Sequence, residues 1–116
     1  MPGVLTQAVG RQDVLIRRGV SARWGVLWEQ DDGSGFQPVD LLTWSGTLRV
    51  SSPHGDVWLE QPVELTSDGL AIADLAASTT SSDVWAGRPR GTWTITATSP
   101  DGHVERLGEG TIRIED

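Results

Sequence analysis

The sequence predicts an all-β protein, an antiparallel β-sandwich of about seven strands with one short helical crossing. Along residues 92–98, Trp93, Ile95 and Ala97 alternate with threonines, which predicts a half-buried strand with one apolar and one hydroxyl face. Residues 100–102, Pro-Asp-Gly, then supply turn chemistry, and a second alternating segment ends at Glu115. The chain therefore closes with a β-hairpin, and the same succession of short strands and turns recurs throughout.

The N-terminal residues 1–12 carry no clear periodicity and are predicted to form an extended arm, followed by the sandwich domain over residues 13–116. The predicted strands, in chain order, cover residues 13–18, 22–28, 43–51, 57–64 and 70–75, and the hairpin covers residues 91–114. Polar, glycine-rich turns are predicted at residues 31–35, 52–56 and 67–69. Residues 76–86 lack alternation and are rich in Ser and Thr, which predicts a short helical turn or loop that crosses between the sheets with Val84 and Trp85 tucked under it.

The chain contains six tryptophans, and their positions separate them into two groups. The first group lies on predicted strands at positions compatible with the interior and is expected in the core: Trp24, Trp28, Trp44 and Trp93. Trp58 is out of phase with its neighbours and Trp85 lies in the crossing, so these two are candidates for a contact with a partner protein. Stacking of a sugar on an exposed Trp is an alternative role for the same two side chains.

Composition restricts the class of protein. At 116 residues the chain forms one domain, and without cysteine it has neither disulfides nor thiolate metal sites. The net charge of −7 argues against nucleic acid, which requires Lys and Arg to neutralise phosphates. No apolar run approaches the roughly 20 residues of a membrane helix. Because no secretory signal is visible, we expect synthesis in the cytosol, with export only inside a larger particle.

No catalytic constellation is visible in the sequence. His54 and His103 each lie near glycine in a predicted turn, and no pattern directs them to one metal site. Residues 31–35, Asp-Asp-Gly-Ser-Gly, lack the spacing of a calcium loop and are interpreted as a hairpin loop. We find neither a nucleophile elbow nor a phosphate loop. The sequence therefore predicts no enzymatic activity, no cofactor and no metal.

Several short motifs together resemble a phage structural module. Pro38-Val39-Asp40-Leu41 precedes a strand, a crossing follows, and the final hairpin contains Pro100-Asp101-Gly102 and Gly108-Glu109-Gly110-Thr111-Ile112. This succession over residues 13–115 resembles the N-terminal immunoglobulin-like domain of baseplate upper proteins from tailed phages. The Ser- and Thr-rich residues 76–83 depart from the clearer helix of that family, and the receptor-platform region that follows the module in longer members is absent.

The resemblance implies a structural component of a virion, made in the host cytoplasm and present in several copies, which docks on the tail or baseplate as a minor tail protein. Its partners would be other virion proteins, with no role for nucleic acid or membrane. A capsid decoration or head-fibre base protein is the first alternative, and a carbohydrate-binding sandwich is the second.

The arm offers a means of docking, since an extended segment can add a strand to a neighbour's sheet. The residues expected to bind a partner are Val4, Leu5, Ala8, Val9, Trp58 and Trp85. The competing interpretation, that the arm forms an edge strand of its own sandwich, is equally compatible with the sequence.

Overall fold

The fold was derived from a computed structural model, which describes residues 10–31 and 33–116. Eleven strands occur in these residues: β1 (Gly10–Arg11), β2 (Val14–Arg17), β3 (Ala22–Leu27), β4 (Glu29–Asp31), β5 (Phe36–Pro38), β6 (Ser45–Ser51), β7 (Val57–Pro62), β8 (Glu64–Leu65), β9 (Leu70–Leu75), β10 (Arg90–Thr98) and β11 (Val104–Glu115). Helix α1 (Ala77–Thr80) and a 3₁₀ turn (Asp83–Trp85) lie between β9 and β10. No helix in the described ranges is both long and apolar enough to span a membrane.

Two sheets contain most of these strands. The larger sheet has the order β1–β11–β10–β6–β7. Strand β2 pairs with the same edge of β11 as β1 does, but with a later part of β11. The smaller sheet has the order β3–β9–β8, and β4 pairs with β5 in a separate two-stranded ribbon. Every pairing is antiparallel except those of β1 and β2, which run parallel to β11.

The strand order is that of an immunoglobulin-like β-sandwich. In the lettering used for that fold, β3, β9 and β8 take the places of strands B, E and D, while β6, β10 and β11 take those of C, F and G. Strand β7 extends the larger sheet beside β6, as strand C′ does in variable-type domains. The predicted fold class is thus confirmed, including the short helical crossing between the two sheets.

The core lies between the sheets and consists of the inward residues of each strand. Along β10, Trp93, Ile95 and Ala97 are buried while the threonines between them face outward, as the alternation predicted. The ring of Trp93 meets that of Trp24 edge to face, with centroids 5.7 Å apart. Trp28 is also buried, and Trp44 is half-buried against the same cluster, so the predicted tryptophan core is present.

The segment at residues 57–64 differs from the single predicted strand. The chain leaves the larger sheet after Pro62 and enters the smaller sheet at Glu64, and only Val63 separates β7 from β8. The amide of Val63 donates to the carbonyl of Gly46 at 3.1 Å, and a Cβ at Gly46 would approach the Val63 side chain to 2.6 Å. Gly46 permits this close approach. The chain can therefore change sheets while its side chains continue to alternate between the inner and outer faces.

Candidate partner-binding surfaces

The described part of the arm is held on the edge of the larger sheet. Val4, Leu5, Ala8 and Val9 lie outside the described residues, whereas Gly10 and Arg11 form β1. At Gln12 the amide donates to Glu109 O at 3.2 Å, and the carbonyl accepts from Trp93 Nε1 at 2.9 Å. A Cβ at Gly110 would lie 1.8 Å from this carbonyl oxygen, so the approach requires glycine. This contact was not predicted from the sequence, although the glycines of Gly108-Glu109-Gly110 are consistent with such a close approach.

The edge of the smaller sheet carries the second surface. Among the described strands, β3 pairs with β9 alone, which leaves its other edge with backbone groups oriented for a further strand. Leu27 and Leu70 are opposite each other on the outer face and are 45% and 37% exposed. Half-buried Ile72 shares that face. Gly10 lies directly against Val26 of β3, so the arm joins the domain beside this edge.

A groove of mixed polar and apolar lining occupies the outer face of the larger sheet where β2, β10 and β11 meet. Its volume is about 570 Å³, and its walls include Leu15, which is 46% exposed, with Thr92 and Arg113. The hydroxyl of Thr111 donates to Asp13 Oδ1 at 2.7 Å. Such a surface presents hydroxyl and guanidinium groups beside an apolar side chain, which suits contact with a protein.

Trp58 is a less accessible partner-binding candidate than the sequence suggested. It is half-buried and packs against the core, and a Cβ at Gly91 would meet its ring at 2.7 Å. The guanidinium of Arg88 covers the ring, with 4.9 Å between its carbon and the ring centroid. This cation–π contact occupies the face that a partner or a sugar would use.

Trp85 is buried in the core, so its ring is not available for the predicted contact with a partner. Its side chain is 2% exposed and belongs to the core cluster, and its Nε1 donates to Thr79 O at 2.8 Å. The 3₁₀ turn directs the indole inward, so the expectation that Trp85 tucks under the crossing is the correct one. Residues 76–86 have no periodicity to reveal this orientation from sequence.

The polar turns serve local structure. Asp31 Oδ1 accepts from the amides of Gly33 and Gly35, which closes the predicted hairpin loop. His54 and His103 are both exposed in turns, and the His103 ring contacts Glu105. Within residues 10–31 and 33–116, no three His, Asp or Glu side chains converge as metal ligands.

Asp101, in the turn before β11, has a clearly shifted titration. The Ser99 hydroxyl donates to its carboxylate, and this bond, followed by the backbone N–H of His103, lowers the pKa of Asp101 below its ordinary value of 3.8. Both bonds favour the ionised form, and the turn is thereby stabilised at neutral pH.

These surfaces belong to an immunoglobulin-like β-sandwich, the class of protein that the strand order defines. No protein-family model and no curated protein matches the sequence. Among solved structures, the chain is similar to fibronectin(III)-like modules of Clostridium thermocellum CbhA, with 9% identity, a TM-score of 0.42 and coverage of 96% of this chain and 93% of that one.

Two further structures show similarity at the same level. CopC from Methylosinus trichosporium OB3b is 10% identical with a TM-score of 0.45, and the match covers 96% of this chain and 93% of that chain. Salmonella alpha-2-macroglobulin is 20% identical with a TM-score of 0.45, and the match covers 97% of this chain but 6% of that chain. The assignment of the fold rests on the strand order described above.

Proposed function

We propose that this chain is a non-enzymatic structural module that joins protein subunits in a tailed-phage virion, on the tail or baseplate. The observation that carries the proposal is the outer edge of β3, which pairs with no strand among residues 10–31 and 33–116 and lies next to exposed Leu27 and Leu70, beside the root of the arm. The resemblance of residues 13–115 to the N-terminal domain of baseplate upper proteins supplies the virion context.

The arm of one subunit fits the β3 edge of a neighbour in length and character. Residues 4–9 would extend about 20 Å as a strand, and β3 is equally long at six residues. Backbone hydrogen bonds along the edge would provide affinity. Because side chains alternate along a strand, either Val4 and Ala8 or Leu5 and Val9 would lie on the same face as Leu27 and Leu70, and the other pair would lie on the opposite face. Repetition around a symmetric assembly would satisfy every β3 edge and remove the aggregation hazard of a free one.

Virion membership is tested on purified particles. Mass spectrometry of particles from a lysate of the producing host should detect this chain in a fixed ratio to the tail proteins. Its absence from intact, infectious particles would refute the proposal. The position of the coding gene separates the two virion locations, because tape-measure and tail-fibre genes on its flanks indicate the tail, whereas capsid genes indicate the head-decoration alternative.

The docking mode is tested with Leu27→Lys. Leu27 is 45% exposed, so the substitution should leave the domain folded while it places a charge on the acceptor surface. Val104→Lys is the matched control, since Val104 is 60% exposed on β11 in the larger sheet. We expect Leu27→Lys alone to lower the fraction of chain recovered in particles. Equal incorporation of both variants would exclude the β3 edge as the docking surface.

A further inference from the structure

The ribbon of β4 and β5 stands apart from the two sheets. Among the described residues its strands pair only with each other, and every residue in them is half-buried or exposed. Opposite residues of an antiparallel pair share a face of the ribbon. One face therefore carries Glu29, Asp31, Phe36 and Pro38, and the other carries Gln30 and Gln37. Phe36 is 43% exposed, so the first face presents an apolar ring between carboxylates.

The ribbon is fixed at its base by two fully buried residues, Trp28 and Leu41. The Trp28 amide donates to Gly69 O at 2.7 Å, and its carbonyl accepts from Val39 N at 3.1 Å. The Leu41 amide donates to Thr66 O at 3.1 Å. A two-stranded ribbon alone is only marginally stable in water, and these contacts attach it to the turn before β9. A partner would therefore meet a surface that is already ordered.

Two further features lie at the same end of the sandwich. Leu42 is 64% exposed, and its amide donates to Asp40 Oδ1 at 2.9 Å, which fixes the turn that presents it. Thr98, the last residue of β10, pairs with Ser45, the first of β6, so the turn at residues 99–103 lies at this end too. We call the described residues of segments 29–42, 66–69 and 99–103 the ribbon end.

Most of the net charge of the chain lies in these three segments. They contain six acidic residues and neither Lys nor Arg, whereas the rest of the chain contains ten acidic residues and nine arginines. On the larger sheet, Glu60 and Glu109 pair with arginines at 2.8 and 2.9 Å. No carboxylate of the ribbon end forms an ion pair with an arginine among the described residues. Its negative charge is therefore not compensated by the domain and acts over about 8 Å at physiological ionic strength.

We propose that the ribbon end is a second docking surface, for a protein whose own surface carries Lys or Arg around an apolar centre. Phe36 and Leu42 would supply the apolar contacts, and the carboxylates around them would steer and align a basic partner. Nucleic acid and acidic surfaces would be repelled. The proposal does not depend on the arm or on the β3 edge, because both apolar residues lie outside β3.

A capped octapeptide of alternating Lys and Leu is the probe for such a surface. Alternating Lys–Ser and Glu–Leu peptides of the same length are its controls for apolar contact and for charge. Binding is followed by ¹H–¹⁵N NMR of the full chain at low ionic strength. We expect the Lys–Leu peptide to produce saturable shifts at the ribbon end, and the Lys–Ser peptide to bind about fivefold or more weakly. The Glu–Leu peptide should not bind, and added salt should weaken the Lys–Leu peptide.

Two pairs of variants separate the apolar contact from the charge. Phe36→Ser should weaken binding of the Lys–Leu peptide about fivefold or more. Val57→Ser is its matched control, because Val57 is 50% exposed and lies at the other end of the sandwich, where it pairs with Ser51. Glu29→Gln combined with Asp68→Asn should weaken binding about threefold or more and reduce its dependence on salt.

Asp56→Asn combined with Asp83→Asn removes the same charge from exposed positions outside the ribbon end and should leave the affinity unchanged. Equal effects of the two double variants would overturn the proposal, as would equal affinities for the Lys–Leu and Lys–Ser peptides. Shifts that fall on β3 instead of the ribbon end would overturn it as well. The charge variants keep the test decisive even where Phe36→Ser disturbs the ribbon. Incorporation into particles, which tests the arm and the β3 edge, is read separately.

Discussion

The indole Nε1 of Trp93 donates a hydrogen bond to the carbonyl oxygen of Gln12, 2.9 Å away. To make this bond the ring passes over β11, where Cβ atoms at Gly108 and Gly110 would come within 3.1 and 2.9 Å of it. A buried core residue of β10 is thereby tied to the N-terminal edge of the sheet. This contact links the stability of the core to the position of the arm.

Gly110→Ala should destabilise the domain by about 1–3 kcal/mol, because the new methyl group would collide with a backbone atom that cannot move alone. Gly25→Ala is the matched control, since Gly25 also lies on a strand and its nearest contact would be 3.2 Å. The free energies of unfolding come from urea titrations followed by circular dichroism. Equal losses in the two variants would argue against the contact at Gln12.

Trp93→Ala should cost about 3–5 kcal/mol, since the ring is fully buried. Trp93→Phe retains most of the packing but leaves the carbonyl of Gln12 without its donor, and we expect a loss of about 1–2 kcal/mol. Amide hydrogen exchange should become faster at residues 10–12 in the phenylalanine variant. A phenylalanine variant with unchanged stability and exchange would show that the hydrogen bond does not secure the arm.

Much of this architecture follows from local patterns. Residues 92–98 and the hairpin were predictable because one face of each strand is buried and the side-chain period is two. The turn at residues 100–102 was predictable from its residue types alone. What these patterns specify is which face of a strand is inside.

The features that were missed depend on contacts between distant parts of the chain. The change of sheet at Val63 preserves the alternation on both sides, so only its packing on Gly46 reveals it. The burial of Trp85 depends on the direction of a single 3₁₀ turn. Neither the change of sheet nor the burial of Trp85 has a periodic sequence pattern from which it could be inferred.

Trp58 and Trp85, which the sequence analysis grouped as candidates for a partner contact, should respond differently to substitution by alanine. Trp85→Ala removes a buried ring with its hydrogen bond to Thr79 and should cost about 3–5 kcal/mol. Trp58→Ala removes a half-buried ring and one cation–π contact, so the loss should be smaller, about 1–2 kcal/mol. Thermal unfolding of the two variants compares them directly. A neutral Trp85→Ala would mean that the ring does not belong to the core.

The stability of the turn at Asp101 should depend on pH. Because its folded pKa lies below 3.8, the carboxylate contributes stability above that value, and the contribution is lost as the pH falls through the folded pKa. Asp101→Asn should therefore be less stable than the wild type at pH 7, and the difference should shrink in acid. Asp68→Asn, in the turn after β8, is the charge control. NMR titration of the Asp101 carboxyl carbon measures the pKa, and a midpoint above 3.8 would contradict the assignment.

Deletion of residues 2–9 distinguishes a docking arm from an additional strand of the same domain. Gly10 remains, so β1 and the Trp93 contact are preserved. Ordering an extended segment costs about 1–2 kcal/mol per residue in backbone entropy, which an assembly can offset more readily than one exposed edge of an isolated domain. The docking function therefore predicts an unchanged melting temperature for the deletion variant, together with failure to enter particles.

A variant with residues 2–9 replaced by Gly and Ser at the same length controls for the loss of chain itself. It should behave like the deletion, because the apolar side chains of Val4, Leu5, Ala8 and Val9 are what the proposal requires. Light scattering of the wild type and both variants over a range of concentrations measures self-association through the β3 edge. A large fall in melting temperature of the monomeric variants would instead show that the segment completes the smaller sheet of its own sandwich, beside Val26 where Gly10 already lies.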